Sequence, residues 1–448
     1  MRIAGIIAEY NPLHNGHLRL FQKVREELSE QTPIVVIMSG AFVQRGIPSL
    51  TDRESRVCAL LCNGADLVFE LPFTFATGSA DRFAHGGVSS LLQSGVITDL
   101  YFGAEHPSLS DLEWIAKHDF ESDPVFSEKL EQFQKDGLPY AAAWQEAAGA
   151  VLEGLSGETF PMTVEDFKNI IRKPNNILAI EYLKQIIRIS ENRSRKTDHK
   201  AETGSKSLQP VTIRRIGRYN DEVIPDKPDT MDGRADDRTA LASASAVRAA
   251  AGEGRFDELA GAVPENCLNE LRQIYDGNVN ESEKPFSKMK QKYFDMLRTV
   301  ILRSSPRELS QIAGVSEGIE NRIKREIRSH DSFDSFAEAI KSKRFTRTAI
   351  GRMMIHILAG LTAGEENLTP PLYARVLAFN ENGAQLIKIA KKTSEIPIIT
   401  NINKAGIKDP ALSSSLDHDI LASDLYNMIC GRDLYKYSDH VTMPCFVR

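Results

Sequence analysis

The sequence predicts an α/β fold, a doubly wound parallel sheet followed by a mainly helical region. Three observations predict it. Short apolar runs rich in β-branched residues recur at 3–7, 34–38, 66–71 and 99–102, and such runs read as strands buried on both faces. Amphipathic stretches of helical spacing separate them, which is the alternation of a parallel sheet wrapped by helices. Beyond about residue 256 the strand signal fades and helical periodicity dominates.

Taken in order, Ile3, Ile6 and Ile7 form the first strand, and Asn11-Pro12 breaks it because the residue before proline is pushed out of the helical region. His14-Asn15-Gly16-His17 then opens a helix through Leu18, Leu20, Phe21, Val24 and Leu28. The second strand, 34–38, runs into a loop at 39–50 holding Gln44, Arg45 and Gly46. Thr51-Asp52-Arg53-Glu54 matches a capping box, so a helix is expected to start there and turn Val57, Leu60 and Leu61 inward. Pro72 stops the third strand, and a helix through Phe83, Val88, Leu91 and Leu92 leads to the fourth, with Gly103-Ala104-Glu105 at its carboxyl end. Residues 106–165 read as helical, and Pro174-Asn175-Asn176 opens a further helix with more asparagine than a cap needs. A polar excursion at 190–210 precedes a fifth strand at 211–216; 221–238 reads as a loop, and Ser243 to Arg248 as a capped helix start. Later helices carry Tyr293 and Leu297, then Ile319, Ile323 and Ile327, then 336–340 and 348–361. Pro370-Pro371 ends that series, and 373–379 returns to a β-like run with Asn380-Glu381-Asn382-Gly383 as a turn signal. The division expected is 1–255 for the α/β part and 256–448 for the helical part.

A chain of 448 residues exceeds what one core usually serves. Its 42% hydrophobic and 26% charged composition is that of a folded chain, and a net charge of -6 gives no global pull toward nucleic acid. No apolar run is long enough to span a membrane, and Met1-Arg2 leads directly into the first strand, so a cytoplasmic protein is expected. The five cysteines lack CxxC spacing, which argues against a zinc ribbon. Cys58 and Cys62, four apart on one helix, are expected as buried thiols.

Ligands of a doubly wound sheet bind outside the carboxyl ends of its strands, where the first turn, the 39–50 loop and Gly103 belong. There His14 and His17 stand at a helix N-terminus, whose amide groups and dipole favour an anion. Imidazole donors beside a triphosphate stabilise charge developing on phosphorus oxygens and on departing pyrophosphate. No third ligand stands at zinc spacing, so no metal is expected on this pair. Arg214 and Arg215 alternate across the fifth strand, so one of them faces the ligand edge. Ser243, Ser245 and Arg248 are candidate phosphate contacts. Between 321 and 352 nine basic residues, Lys343, Arg344 and Arg347 among them, outnumber four acidic ones, a local charge of +5 suited to RNA phosphates.

His14 to His17 with Ser243 to Arg248 resembles the HxGH and ISSTxIR-type pair of the nucleotidyltransferase superfamily, with Ala242, Ala244 and Ser245 in place of Ile, Ser and Thr. The segments 5–17, 38–46, 69–72, 102–105, 174–178, 343–347 and 375–380 together resemble the bacterial tRNA(Met) cytidine acetate ligase family. The resemblance implies a Rossmann-like nucleotidyltransferase domain that activates acetate with ATP as acetyl-adenylate and acetylates N4 of the wobble cytidine of elongator tRNA(Met). It implies catalytic roles for His14 and His17, Mg2+ as the counter-ion of ATP, and tRNA contacts from Lys343, Arg344 and Arg347. The ATP contacts it implies are Ile7, Ala8, Glu9, Tyr10, Asn11, Pro12, Leu13, His14, Asn15, Gly16, His17, Leu18, Arg19 and Leu20, with Gly103, Asn175 and Arg215. Ala349 and Gly351 stand where bulkier or basic residues are expected. Two rival readings are an adenylyltransferase acting on a small phosphorylated acceptor and a non-catalytic RNA-binding protein.

Overall fold

The computed structural model describes residues 1–138, 140–154, 162–197, 209–214, 243–275, 285–367 and 372–448. Their strands are β1 (Ala4–Ala8), β2 (Ile34–Ser39), β3 (Leu67–Leu71), β4 (Asp99–Ala104), β5 (Gln209–Arg214), β6 (Ala374–Phe379), β7 (Ile398–Ile399) and β8 (Cys445–Phe446). They form one sheet in the order β5-β4-β1-β2-β3-β6-β7, with β8 also paired to β6. The pairs among β1 to β5 are parallel, whereas β6 runs antiparallel to β3 and pairs Arg375 with Glu70.

Alternation along the strands divides the core into two layers. Ile7, Val35, Ile37 and Phe69 face one layer, which the helices Ala80–Gln93 and Pro174–Thr197 cover. Ile6, Ile34, Val36 and Met38 face the other, with Phe21 and Val24 of helix Asn15–Glu27 and Leu60 of helix Arg53–Cys62. The period of two along a strand makes both faces apolar and leaves the strand ends as the exposed polar edge. The chain lays β2 and β3 on one side of β1 and then crosses back to set β4 on the other. The carboxyl edge between β1 and β4 is therefore the topological switch point.

Helices Pro285–Arg303, Ile319–Glu326, Phe333–Ile340, Arg347–Ala359 and Pro410–Ile429 share a third core, into which Phe42 and Phe73 of the α/β part insert. The helices Phe256–Leu259 and Glu265–Tyr275 pack instead on the layer of β1 and β2. Residues beyond 255 thus supply a helical core, part of the α/β core and three strands of the sheet. The return into the sheet is fixed by a buried ring of charges. Arg375 bonds Glu70 and Asp439 at 2.9 Å each, and Arg53 reaches the same two carboxylates.

Four local expectations are corrected. Asp52, not Thr51, caps helix Arg53–Cys62, its carboxylate accepting from Ser55 N at 2.7 Å. The polar excursion at 190–210 begins later, because helix Pro174–Thr197, once nucleated by its packed first turns, adds one backbone hydrogen bond per further residue. Gln209 already belongs to β5; residues 198–208, the loop at 221–238 and Pro370-Pro371 lie outside the described residues. Asn380 starts helix Glu381–Thr393, accepting from Gly383 N at 2.9 Å, where a turn was expected. Cys62 is exposed rather than buried, and Cys58 Sγ meets Cys445 Sγ of β8 at 3.0 Å.

Candidate active site

The site begins where β1 ends. Tyr10 adopts φ 48°, a left-handed conformation that a bulky residue rarely takes. Its ring holds the turn there, buried against His17 at 4.7 Å and Phe21 at 6.3 Å between centroids. Asn11, joined to Pro12 by a cis peptide bond, accepts Leu50 N on its side chain and an Arg248 Nη1 hydrogen bond on its carbonyl, both at 2.7 Å. Leu13 is buried, Leu18 and Leu20 pack on the apolar layer, and Arg19 pairs with Glu26 at 3.4 Å. Ile7, Leu13, Leu18 and Leu20 thus brace the turn from inside.

His14 caps helix Asn15–Glu27, its Nδ1 accepting from Gly16 N at 3.1 Å. His17 Nδ1 accepts in turn from His14 N at 3.3 Å. Each ring therefore spends its acceptor nitrogen on the backbone and carries its proton on Nε2. The rings stack at 3.8 Å, so the two Nε2–H donors are held side by side at the positive end of the helix. The first turn holds no acidic residue that would cancel that field.

The walls of this turn come from four directions. Arg248, on helix Ala244–Glu253, bridges Asn11 O and Ser245 Oγ, while Ser243 Oγ caps that helix by accepting from Ala246 N at 3.1 Å. Burial lowers the pKa of the Arg248 guanidinium, the Glu9 carboxylate opposes that shift, and the Arg45 charge adds to it. Glu9 Oε1 accepts from Gln44 N at 2.8 Å, which ties the 39–50 loop to the end of β1. Gly103 stands on β4 two residues beyond the Ile6–Tyr101 pair, and Asn15 Nδ2 donates to Gly261 O at 2.6 Å.

Of the two asparagines, Asn176 is the buried one. Its Oδ1 accepts from Glu105 N at 2.8 Å and His106 N at 2.9 Å, pinning helix Pro174–Thr197 to the end of β4. Asn175 is half-buried beside it and donates to the Glu105 carboxylate. Arg214 ends β5 opposite Ala104, at the same edge; its side chain and the whole of Arg215 lie outside the described residues.

The basic residues of the helical part stand apart from this turn. Arg344 pairs with Glu317 at 2.5 Å, Arg347 pairs with Asp334 over the Phe333 ring, and Lys343 is exposed near Gly137. Exposed pairs of this kind are worth little and yield easily to a phosphate. The link between the two regions is Gly351, where an added Cβ would lie 2.2 Å from Arg45 O. A glycine that departs from the expected pattern is thus what lets the 39–50 loop lie against helix Arg347–Ala359.

Sequence reasoning missed Arg56 as well. It is buried and donates to Glu9 O at 3.1 Å, Ser39 O at 3.0 Å and Gly40 O, gathering the ends of β1 and β2. The one signal was an arginine on the inward face of a helix, beside Val57 and Leu60. Among the described residues the buried Tyr10 Oη, Asn11 Nδ2 and Ser39 Oγ have no hydrogen-bond partner. A buried orphan costs about 1–3 kcal/mol, so their presence at one strand edge fits a polar ligand there.

A family model described as HIGH nucleotidyl transferase matches residues 1–439. The tRNA(Met) cytidine acetate ligase of Clostridium perfringens is 33% identical, covering 100% of both chains. The chain belongs to the tRNA(Met) cytidine acetate ligase family. That of Alkaliphilus metalliredigens is also 33% identical, over 100% of this chain and 99% of its own. Among solved structures, Thermotoga maritima TmcAL without ligand matches with a TM-score of 0.80 at 28% identity, covering 100% of both chains. The same protein bound with alpha-thio ATP matches with a TM-score of 0.80 at 27% identity and the same coverage. The family membership makes this chain an ATP-using ligase, and the α/β fold with its parallel sheet is the family's fold. Among the described residues no helix is long and apolar enough to cross a membrane.

Proposed function

We propose that the chain activates acetate with ATP and transfers the acetyl group to N4 of the wobble cytidine of elongator tRNA(Met), in the cytoplasm where that substrate is found. A carboxylate oxygen of acetate attacks the α-phosphorus, the bond to the β-phosphate oxygen breaks, and pyrophosphate leaves. The exocyclic amine then attacks the acetyl carbonyl, AMP departs, and N4 loses a proton. Acetate is fully ionised at neutral pH, so the first step needs positioning and charge stabilisation more than a base.

The observation that carries this reading is the pair of stacked imidazoles at the switch point, their Nδ1 atoms spent on the backbone and their Nε2–H donors held at a helix N-terminus. In a family member, donors so placed suit the α-phosphate as charge builds on it. ATP is taken by the segment from Ile7 to Leu20, with Gly103, Asn175 and Arg215, and Ser243, Ser245, Arg248 and Arg214 flank its phosphates. Mg2+ would accompany ATP as its counter-ion and offset charge on its phosphates. Residues 1–255 supply the ATP site, and within 256–448 Lys343, Arg344 and Arg347 receive the tRNA.

Incubation of the protein with ATP, labelled acetate and elongator tRNA(Met), followed by mass spectrometry of the nucleosides, is expected to yield AMP, pyrophosphate and labelled N4-acetylcytidine. A His14→Ala, His17→Ala double variant with full activity would overturn the roles assigned to the histidines. Conversion of ATP with a small phosphorylated acceptor, without tRNA, would favour an adenylyltransferase instead.

A further inference from the structure

Arg45 has no role in the reading above, and its setting demands one. It sits at the tip of the 39–50 loop, exposed, and among the described residues no hydrogen bond or ion pair engages its guanidinium. The backbone beneath it is rigid. Glu9 accepts from Gln44 N at 2.8 Å, Val43 N donates to Ile47 O at 3.1 Å, and Gly46 turns at φ 70°. On its other side Arg45 O lies against Gly351, one turn along from Arg347 at the start of helix Arg347–Ala359, about 6 Å in rise. The Arg45 charge is also close enough to Arg248 to add to the lowering of its pKa. An unpaired cation held on a fixed loop, between the histidine turn and the basic helix, is a preformed contact for a phosphate.

We propose that Arg45 binds a backbone phosphate of the RNA acceptor beside the base to be modified, bridging the path from Arg347 to His14 and His17. The proposal rests on the RNA-acceptor reading given above. RNA is favoured over the triphosphate of ATP because Arg45 is exposed, on a loop whose backbone meets helix Arg347–Ala359, whereas the half-buried Arg248 already stands beside the turn.

The test compares the full-length wild type with Arg45→Ala and Arg45→Lys. Two quantities are measured: acetate-dependent exchange of pyrophosphate into ATP without tRNA, and the dissociation constant for a tRNA(Met) transcript at several salt concentrations. Exchange is expected within twofold of wild type in both variants. Arg45→Ala is expected to weaken tRNA binding about tenfold and to flatten the log–log salt slope by about 0.7–0.9, the loss of one phosphate contact. Arg45→Lys, which keeps the charge, is expected within about threefold of wild type. Unchanged tRNA binding in Arg45→Ala would overturn the proposal, and so would a raised KM for ATP with tRNA binding intact, which would give Arg45 to the nucleotide. Absence of acetate-dependent exchange in the wild type would instead overturn the chemical reading alone, because the binding measurement decides Arg45 by itself.

Discussion

His14 serves two ends with one ring, and the two can be separated by substitution. Its Nδ1 caps the helix by accepting from Gly16 N, and its Nε2–H belongs to the proposed phosphate site. His14→Ala removes both, with an expected stability loss of about 1 kcal/mol for the cap. The expected fall in pyrophosphate exchange is on the order of 10²–10³, the usual cost of losing one donor to developing charge. His14→Asn keeps a capping oxygen at the position where Asn is most favoured, so its unfolding midpoint is expected near that of wild type. Its exchange rate is still expected to fall at least tenfold; an Asn variant as active as wild type would leave the ring with the cap alone. This pair was legible in the sequence because a strand, a proline break and a helix start are local signals. Arg56 was not, because its three carbonyl partners are the residue after β1, the last residue of β2 and the residue after β2, and no short pattern records that convergence.

Helix Arg347–Ala359 was legible from its apolar spacing, expected at 348–361; its cap, Thr346 accepting from Ala349 N at 3.2 Å, was not read beforehand. What the sequence left obscure was why a glycine sits within it. Alanine in place of glycine favours an exposed helix by about 1 kcal/mol. At Gly351, however, the new Cβ would meet Arg45 O at 2.2 Å, and a backbone carbonyl does not swing aside as the end of a flexible side chain does. Overpacking of this kind costs about 1–3 kcal/mol, so the clash outweighs the propensity. Gly351→Ala is therefore expected to lower the urea midpoint and, by displacing the 39–50 loop, to weaken tRNA binding. Gly364→Ala is the control, since its Cβ would find only Thr362 Oγ1 at 3.9 Å; it is expected to be neutral or slightly stabilising. Equal effects of the two changes would remove the loop contact from the account. The contact was invisible beforehand because residues 45 and 351 are remote in sequence and glycine carries no apolar signal. The antiparallel docking of β6 on β3 is a non-local choice of the same sort.

Across the whole molecule, two of the buried polar contacts that join the C-terminal part to the α/β part tie stability to pH, each in its own window. His356 lies buried between Thr77 Oγ1 at 3.0 Å and Ala313 O at 3.2 Å, and burial lowers its pKa to about 4. The folded protein thus resists a proton that the unfolded chain accepts near 6.5. Its contribution is intact above that pH and declines as pH falls from 6.5 toward 4, by about 3 kcal/mol in total at 1.36 kcal/mol per unit. Urea unfolding across that range is expected to show the slope in wild type and to lose it in His356→Gln.

Asp439 works at lower pH and with more at stake. Its carboxylate lies between Arg53 and Arg375, which hold its pKa well below the usual carboxylate range. Its stabilisation is therefore present at neutral pH and is lost only as pH falls below about 3.8, after the His356 window has closed. In the intact ring two arginines face two carboxylates, all four side chains buried, so every charge has an opposite neighbour. Asp439→Ala leaves the buried Arg375 with Glu70 alone and the buried Arg53 with Glu70 and Glu54. Breaking a buried pair from one side costs about 3–5 kcal/mol, far more than the modest net worth of an intact one. Because Glu70 is on β3, Arg375 on β6 and Asp439 near the chain's end, that loss falls on the seam that returns the C-terminal part to the sheet. Asp439→Ala is expected to lower the unfolding free energy by that amount, and Asp439→Asn, which keeps the shape but not the charge, by nearly as much. A change under 1 kcal/mol in both would mean that water or local movement relieves the arginines, and the return of the chain into the sheet would then rest on the apolar contacts of β6 alone.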